Sequence, residues 1–487
     1  MSAQRRGVIA TVALALLSLL ITACGSGGGG TGGEVTLKIW DFSAEQTKFH
    51  EQVAAKFTEE HPGIHIEWRS ITQDEYNRTL PLAFQSRQAP DIFYWSDGGP
   101  LAMSRMLAQK WVQPLLPKGG PLPADVASRW PAGSFVDGIN ISEGDTYGFP
   151  FSESVFWGPG YMFMNNQVFA AAGLDPAKPP RTWSELEAAC AKVVAATDAE
   201  CIAAPTKGPQ LQRPWYALAA GAMTDLFFDY RTGRFNLDDP RQLTTFGFLQ
   251  KLRTEGYLAP GTNDQNFSRQ QFAAGQAAIY FDGTWMPSVW AQQGFGSDKF
   301  TVAGHPNPDG GATGALKRQN DGNKYWISSQ TQNRDAAWTF LEWMTRPDGY
   351  FVQQYYKAGF GTLAFADNEK LVTDPAVRQI MTVAKQPGFR VQVPEPLLKC
   401  PDLARSEAYV KAISTRPNAE WEVMNQALAD GSPLGPAAAQ VVATRQKTLE
   451  DTLAKEASSG LKVSMDCYRF PDWDGRSDYG LDRYPSR

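Results

Sequence analysis

Between residues 35 and 95, strand-like and helix-like patterns of apolar residues alternate along the chain. The runs VTLKIW (35–40), IHIEW (64–68) and APDIFYW (89–95) have the alternating or continuous apolar pattern of strands. Between these runs, apolar residues recur every four positions, as they do on one face of a helix: Phe49, Val53 and Phe57, then Tyr76, Leu80 and Phe84. A strand–helix–strand–helix–strand order predicts parallel pairing in an open α/β sheet.

Polar residues stand where these predicted strands end. Asp41 and Ser43 follow the first strand, and Asp97 follows the third. In open α/β sheets, ligands gather at the carboxyl ends of the strands, so we consider these three residues as candidate ligand contacts. Helix capping would explain Ser43 equally well, and a turn or a helix cap would explain Asp97.

Later segments repeat the strand and helix patterns after a change of structural unit. The run GDTYGFPFSE (144–153) has the character of a segment that leaves one unit for another. Further strand–helix patterns follow at residues 270–285 and 323–344, well beyond that change. We therefore expect the chain to cross between two lobes more than once.

The N-terminus carries an export pattern. Arg5 and Arg6 precede an apolar run from Val8 to Ala23, which is shorter than the ~20 residues that a spanning helix needs. A basic start followed by a short apolar run is typical of a signal peptide. An uncleaved span is an alternative.

The end of this apolar run, LITAC (20–24), resembles a bacterial lipobox. The resemblance implies that residues 1–23 are removed and that the Cys24 thiol is acylated, which would anchor the chain to a membrane. An ordinary signal peptide that is cleaved nearby is the alternative. Residues 24–34 are rich in glycine and predict a flexible tether between this anchor and the folded part.

Composition excludes several other functions. The chain has 46 basic and 51 acidic residues, so there is no electrostatic basis for a nucleic-acid partner. It has only four histidines and no H-E-x-x-H pattern, and we predict neither a metal nor a cofactor. No G-x-S-x-G nucleophile motif is present.

Four cysteines remain beyond Cys24: Cys190, Cys201, Cys400 and Cys467. An even number in an exported chain favours two disulfides. A Cys190–Cys201 bond would close a short loop, and a Cys400–Cys467 bond would hold the C-terminal tail. Buried free thiols are the alternative.

Several segments arrive in an order that is known from one protein family: LKIWDF with FTEEHPGIHIEW, APDIFYWSDGGPLAMSRMLAQKWVQPL, DTYGFPFSESVFWGPGYMFMNNQVFAAAGLDPAKPPRTWSELEAAC, and FAAGQAAIYFDGTW with AAWTFLEWM. They resemble the extracellular solute-binding proteins of ABC importers, specifically the carbohydrate-binding group that includes maltose-binding protein. The resemblance implies an α/β, two-lobe periplasmic-binding-protein-like fold, with hinge crossings and a ligand cleft between the lobes.

With this resemblance we predict the extent of each lobe. Lobe 1 comprises residues 35–145 and about 316–365, and lobe 2 comprises about 146–315 and 366–457. Residues 458–487 form a C-terminal extension with no counterpart in the family pattern.

A sugar offers an apolar ring face and a rim of hydroxyl groups, and tryptophan combines a large flat surface with a polar N–H. The family carries its main stacking tryptophan after the glycine of FDGTW, so Gly283 and Trp285 are our first candidates. The resemblance also implies ligand contacts for Trp215, Asp97 and Glu153. Core packing would explain Trp215 equally well, and a surface or interlobe role would explain Glu153.

These patterns predict a monomeric, lipid-anchored receptor on the extracytoplasmic face of the cell membrane. It would bind a sugar or oligosaccharide, deliver it to ABC permease subunits, and have no enzymatic activity. Within binding, a phosphodiester such as glycerophosphocholine is the alternative, with Arg213 and Arg318 as candidates for the phosphate. A secreted glycoside hydrolase is the alternative of another class, because Asp97 and Glu153 could face one cleft.

Overall fold

Two four-stranded sheets with helices on their faces form the framework of the molecule. The computed structural model describes residues 34–95, 101–153, 156, 158–224, 226–259, 264–318, 325–406 and 418–484. The strands are β1 (Val35–Asp41), β2 (Ile64–Ser70), β3 (Ile92–Tyr94), β4 (Ile141–Ser142), β5 (Asp145–Thr146), β6 (Pro159–Asn165), β7 (Glu200–Ala203), β8 (Phe228–Asp229), β9 (Arg234–Phe235), β10 (Ala277–Gly283), β11 (Phe300–Ala303), β12 (Leu316–Arg318), β13 (Tyr325–Ile327) and β14 (Arg390–Gln392). The helices are α1 (Thr47–Glu60), α2 (Gln73–Gln85), α3 (Leu101–Ala108), α4 (Ala124–Ala127), α5 (Asn166–Ala171), α6 (Trp183–Ala196), α7 (Gln212–Ala220), α8 (Pro240–Thr254), α9 (Gln265–Ala273), α10 (Met286–Gln292), α11 (Arg334–Met344), α12 (Tyr350–Lys357), α13 (Pro375–Ala384), α14 (Pro396–Lys399), α15 (Asn418–Asp430) and α16 (Gly435–Ser458).

The first sheet has the strand order β13–β3–β1–β2. Strand β1 pairs in parallel with both β2 and β3, which confirms the parallel pairing predicted from the strand–helix alternation. Strand β13 is added antiparallel to β3 only after the chain has passed through the second sheet. We call this sheet and helices α1, α2, α11 and α12 lobe 1.

The second sheet has the strand order β11–β6–β10–β7. Strand β10 is central, and it pairs antiparallel with β6 and parallel with β7. All seven residues of β10 are buried, because helices cover both faces of the strand. We call this sheet, helices α5 to α10 and helices α13 to α16 lobe 2.

Three segments connect the lobes: one before β6, one between β11 and β13, and one between α12 and α13. The first and third are joined to each other, because the backbone N–H of Glu153 donates to the carbonyl of Thr362 (3.2 Å) and the N–H of Ala364 donates to Phe151 (2.9 Å). Strand β12, in the second segment, pairs in parallel with β14 near the C-terminal part of lobe 2. The chain therefore crosses more than once, as the sequence predicted.

A continuous apolar cluster runs from one face of the first sheet to one face of the second. It includes Ile39 of β1, Phe351 of α12, Val377 of α13 and Tyr280 of β10. Helices α12 and α13 thus carry the core across the junction. A second large cluster fills the other face of lobe 2 and receives the C-terminal residues Tyr468, Phe470 and Trp473, whose side chains are buried there.

Two disulfides join Cys190 to Cys201 and Cys400 to Cys467, the same pairs that the sequence predicted. The first connects α6 to β7, and the second connects the turn after α14 to the C-terminal extension. The predicted signal peptide, Cys24 and the glycine tether lie outside the described residues. Among the helices that the structure describes, none combines the length and the apolar character needed to cross a membrane.

Candidate ligand-binding cleft

The carboxyl ends of β1 and β10 approach each other where the two lobes meet. Strand β1 leads into the turn 42–46 of lobe 1, and β10 leads through Gly283, Thr284 and Trp285 into α10 of lobe 2. Gln292, in the last turn of α10, donates a hydrogen bond from its side-chain amide to the backbone carbonyl of Glu45. This contact between lobes marks one rim of the candidate cleft.

The indole of Trp285 lies against Gly283 at the end of β10. A Cβ atom on Gly283 would lie 2.2 Å from the nearest ring carbon of Trp285, so any other residue at this position would displace the ring. The ring is half-buried and packs against the apolar cluster that joins the lobes. Gly283 and Trp285 therefore form one surface at the lobe junction, which we call the Trp285 ledge.

A charged cluster lies directly beneath this ledge. The fully buried carboxylate of Asp282 accepts hydrogen bonds from Arg213 Nε (3.0 Å), Arg269 Nη2 (2.9 Å), Tyr280 Oη (3.0 Å) and the N–H of Gly283 (2.9 Å). Burial alone would raise the pKa of Asp282, but the charges of Arg213 and Arg269 outweigh it and hold this pKa below its usual value. Two guanidinium groups share one carboxylate, so the three side chains carry one net positive charge.

The position of Arg213 differs from the one expected for a direct phosphate contact. Its Nε is occupied by Asp282, which lies 69 residues away in the sequence, and only 11% of its side chain is exposed. Arg318, the other candidate, pairs with Asp478 of the C-terminal extension. Neither arginine is placed as the free cation that the sequence suggested.

Asp41 is also placed differently from the expectation. Its carboxylate is fully buried, where it accepts from Trp68 Nε1 (2.9 Å) and the N–H of Ser43 (3.1 Å) and lies 3.3 Å from His50 Nδ1. Burial raises its pKa to about 6. Asp41 thus connects β1 to β2 and α1, below the surface of the cleft.

Ser43 does not cap the following helix. Its side chain makes no capping hydrogen bond, and a single 3₁₀ turn (Ala44–Gln46) precedes α1, which begins at Thr47. Ser43 is half-buried in the turn at the end of β1, next to Glu45. Of the two polar candidates after β1, it is therefore the one that stays near the rim of the cleft.

Trp215 lies in the core of lobe 2 rather than on its surface. Its side chain is fully buried, and its ring centroid is 6.2 Å from that of Phe246. The periodicity of α7 explains this placement, because most of the helix after Gln212 and Arg213 is buried. As placed, Trp215 contributes packing and not an exposed stacking surface.

The two remaining candidates are Glu153 and Asp97. Glu153 lies on the first connecting segment, where its side chain is exposed. Removal of water by the surrounding protein still raises its pKa. Asp97 lies outside the described residues.

The structure adds two polar groups that were not among the leading candidates from the sequence. Trp95 follows β3, and its Nε1 is buried without a hydrogen-bond partner within the described part of the chain. Thr284, between Gly283 and Trp285, is 2% exposed, and its hydroxyl likewise has no such partner there. Trp95 stands at the end of the third predicted strand, whereas nothing local in the sequence distinguishes Arg269 from a surface cation.

No group of three or more histidine, cysteine or acidic side chains suitable for a metal ion occurs within the described residues. The described residues of the candidate cleft offer aromatic, hydroxyl and guanidinium groups, together with the half-buried carboxyl of Glu45. These groups suit recognition by stacking and hydrogen bonding.

Comparisons with known proteins identify the family of this chain. The family model for bacterial extracellular solute-binding proteins matches residues 42–350. A maltotriose-binding protein of Pyrococcus abyssi is 24% identical over 340 residues, which are 66% of this chain and 63% of that protein. An sn-glycerol-3-phosphate-binding periplasmic protein of Yersinia pseudotuberculosis is 26% identical over 255 residues, which are 50% of this chain and 55% of that protein.

Solved structures extend the similarity at the level of the fold. The GacH receptor of Streptomyces glaucescens, solved without ligand and with acarbose, superimposes with a TM-score of 0.63 at 19% identity. The alignment covers 86% of this chain and 99% of that chain. At this identity the likeness establishes a common two-lobe fold.

Proposed function

The chain belongs to the family of bacterial extracellular solute-binding proteins, and we propose that it binds a sugar or oligosaccharide between its lobes and delivers it to an ABC permease. The family consists of binding proteins that act outside the cytoplasm with such permeases. The specific ligand class, the residues that contact it and the membrane anchor are parts of the proposal.

The ledge formed by Trp285 on Gly283 carries this proposal. It lies at the end of the central strand of lobe 2, where α10 meets the turn 42–46 of lobe 1. A flat, half-buried indole with its face held by a glycine suits the apolar face of a sugar ring. The maltotriose-binding relative supports the same ligand class.

Two buried polar atoms near the strand ends would complete the recognition of hydroxyl groups. The Nε1 of Trp95 and the hydroxyl of Thr284 lack hydrogen-bond partners within the described residues. A buried polar group without a partner costs about 1–3 kcal/mol. Ligand hydroxyl groups that pair with these atoms would recover that cost, so both residues are proposed contacts.

Ligand capture would work through closure of the lobes. A ligand that contacts both lobes favours the closed state, because only this state makes both sets of contacts. Trp285 would contribute from lobe 2, and Trp95, Ser43 and Asp97 would contribute from lobe 1. The chain would bind its ligand without changing it chemically.

The N-terminal residues support a membrane anchor. Cys24 follows the lipobox-like LITA, and the glycines after it would let the monomeric receptor reach a permease in the same membrane. We propose the extents of the lobes as the sequence predicts them, except that β12 (Leu316–Arg318) belongs with lobe 2, where it pairs with β14. Residues 458–487 would extend lobe 2. Mass spectrometry of Cys24 from native membranes tests the anchor, and an unacylated thiol would contradict it.

The charged cluster favours a second candidate ligand, a glycerophosphodiester or a related phosphate. Arg213 and Arg269 together carry one more charge than Asp282 neutralises, and they lie beneath the Trp285 ledge. This excess charge would attract an anionic ligand to the lobe 2 side of the cleft. The sn-glycerol-3-phosphate-binding relative supports this candidate.

A thermal-shift screen distinguishes these ligands. We expect a rise in the unfolding temperature with one or more mono-, di- or trisaccharides, because a ligand that binds only the folded state stabilises it. A shift with glycerophosphodiesters alone would favour the second candidate. Turnover of a labelled oligosaccharide, instead of its stoichiometric retention, would contradict the binding function.

A further inference from the structure

Glu45 is an acidic residue at the rim of the candidate cleft, and none of the ligand contacts proposed above involves it. It lies in the 3₁₀ turn (Ala44–Gln46) between β1 and α1, on the lobe 1 side. Its backbone carbonyl accepts the hydrogen bond from Gln292 of α10, so Glu45 stands where lobe 1 meets lobe 2. Its side chain is half-buried. A carboxylate that leaves water loses hydration, and a ligand that donates hydrogen bonds to Glu45 would offset this loss.

Groups of both lobes lie around the carboxyl of Glu45. Burial is the main reason that the pKa of Glu45 is raised; the charge of Asp41 raises this pKa further, and the charge of Arg269 lowers it. Besides burial, the charge of Glu45 is one cause of the raised pKa values of Tyr94 and Tyr355. Tyr94 belongs to β3 and Tyr355 to α12, both in lobe 1, whereas Arg269 belongs to α9 in lobe 2. The carboxyl therefore lies between the aromatic groups of lobe 1 and the arginines of lobe 2.

The guanidinium of Arg269 is held by Asp282 and not by Glu45. Asp282 Oδ2 accepts from Arg269 Nε (3.2 Å) and Nη2 (2.9 Å), and Asp282 Oδ1 accepts from Arg213 Nε (3.0 Å). Among these described residues, neither arginine forms a salt bridge with Glu45. The cluster of Arg213, Arg269 and Asp282 keeps one positive charge, and the carboxylate of Glu45 brings the sum for the four side chains to zero. The excess charge of lobe 2 is thus balanced at the cleft before any ligand binds.

A carboxylate in this position favours one class of ligand. An ionised carboxylate only accepts hydrogen bonds, and adjacent hydroxyl groups of a sugar supply the matching donors. Such charge-assisted hydrogen bonds are about twice as strong as those between neutral groups. A phosphate group brings a second negative charge, and like charges that meet at a binding surface disfavour association. The carboxylate of Glu45 therefore opposes the entry of a phosphate.

We propose that Glu45 determines the charge of the ligand that the cleft accepts: it selects neutral, hydroxyl-rich ligands and excludes phosphate-bearing ones. A carbohydrate would lie between the Glu45 carboxylate of lobe 1 and the Trp285 ledge of lobe 2, and its hydroxyl groups would donate to the carboxylate. Without Glu45, the excess charge of Arg213 and Arg269 would attract anions. The inference rests on the proposed function and decides between its two candidate ligands in favour of the carbohydrate.

Glu45→Gln tests this selection, because it removes the charge and keeps the shape of the side chain. The first probe is inorganic phosphate, compared with sodium chloride at equal ionic strength in a thermal-shift assay. The wild type should show no phosphate-specific rise in unfolding temperature, whereas Glu45→Gln should show one. The second probe is the carbohydrate that gives the largest thermal shift. Its affinity, measured by isothermal titration, should be roughly 10-fold weaker in Glu45→Gln.

Glu51→Gln is the matched control. Glu51 is an exposed residue of α1 in the same lobe, and its replacement changes the net charge of the protein equally. This variant should behave as the wild type with both probes. Thermal unfolding without a probe checks that each variant is folded. An amide at position 45 should not destabilise the protein, because burial disfavours the charged form of the residue that it replaces.

A phosphate-specific rise in the wild type would overturn the inference without recourse to any variant. Wild-type behaviour of folded Glu45→Gln with either probe would also overturn it, while carbohydrate binding by the wild type would leave the proposed function intact. If the wild type binds no carbohydrate of the screen, the proposed function fails and the inference fails with it. Stronger phosphate binding together with weaker carbohydrate binding, in Glu45→Gln and not in Glu51→Gln, would support the inference.

Discussion

Asp41 and Asp282 occupy equivalent places in the two lobes, and their environments differ. Each is fully buried and lies at the carboxyl end of a strand, β1 in lobe 1 and β10 in lobe 2. The neighbours of Asp41 are neutral donors, and burial raises its pKa to about 6. Asp282 has two arginines beside it, and its pKa is lowered.

The comparison shows that hydrogen bonds from neutral groups do not offset the burial of a carboxylate here, whereas two adjacent cations do. It also shows that the two rims of the cleft differ in charge. Lobe 1 presents aromatic groups and the carboxyl of Glu45 near Asp41, and lobe 2 presents a positively charged cluster below Trp285. Variants of the two aspartates test this difference.

Asp282→Asn should have the largest effect. It leaves the buried guanidinium groups of Arg213 and Arg269 without their counter-charge, and breaking a buried ion pair typically costs about 3–5 kcal/mol. Urea unfolding at pH 7 should therefore give a correspondingly lower free energy of unfolding. Asp41→Asn is the matched control, and equal destabilisation by the two substitutions would contradict the comparison.

Asp41 should make stability depend on pH in a defined direction. Its pKa rises from the model-compound value of 3.8 to about 6 on folding, so the folded protein binds this proton more tightly than the unfolded chain does. The resulting stabilisation is complete below pH 3.8 and is lost as the pH rises to about 6. The loss amounts to at most about 3 kcal/mol, at 1.36 kcal/mol for each pKa unit.

Asp41→Asn should lack this dependence, because its amide stays neutral over the same range. Free energies of unfolding at pH 4 and pH 7 check this expectation. The variant should gain stability relative to the wild type between these two values. Parallel pH profiles for the two proteins would show that Asp41 does not have the raised pKa.

Gln292→Ala should have the smallest effect. It removes the hydrogen bond from α10 to the carbonyl of Glu45, which joins the rims of the two lobes. This hydrogen bond should contribute about 0.5–1 kcal/mol to the closed, ligand-bound state. Its loss should therefore weaken ligand affinity roughly two- to five-fold. Gln293→Ala, at the next exposed position, serves as the control, and equal affinities for the two variants would argue against a closing role for Gln292.

Much of the lobe 1 fold followed from local periodicity. The alternation in VTLKIW and the four-residue spacing of Phe49, Val53 and Phe57 predicted β1 and α1, and their order predicted the parallel sheet. The antiparallel strand β13 could not be predicted in the same way. It pairs with β3 from more than 200 residues away, and no local pattern specifies that partner.

The burial of Asp41 could have been predicted from the same alternation. Leu37, Ile39 and Asp41 lie two residues apart and share one buried face of β1. The position of Asp41 at the end of β1 suggested that its side chain lies in the cleft. Asp41 is, however, on the face of β1 that points into lobe 1. Strand alternation is thus the stronger guide to side-chain direction at such a position.

Strand alternation could not predict the side-chain directions in β10, because every residue of this strand is buried. Gly283 and Trp285 were candidates because of the family resemblance of FDGTW, and the structure places the ring against the glycine. The partner of Arg213 is 69 residues distant, so the sequence offered no reason to assign its guanidinium to Asp282. The sequence indicated which strand ends to consider, and long-range pairs determine which side chains there remain accessible.

The Trp285 ledge is the surface that we propose binds the ligand. Isothermal titration with the carbohydrate that gives the largest thermal shift, carried out on wild type, Trp285→Ala and Trp338→Ala, tests it most directly. Loss of stacking by a large aromatic ring should cost about 1.5–3 kcal/mol, so Trp285→Ala should bind roughly 10- to 100-fold more weakly. Trp338 is also half-buried but lies on α11 outside the cleft, and its replacement should leave affinity unchanged. Wild-type affinity in folded Trp285→Ala would contradict the account.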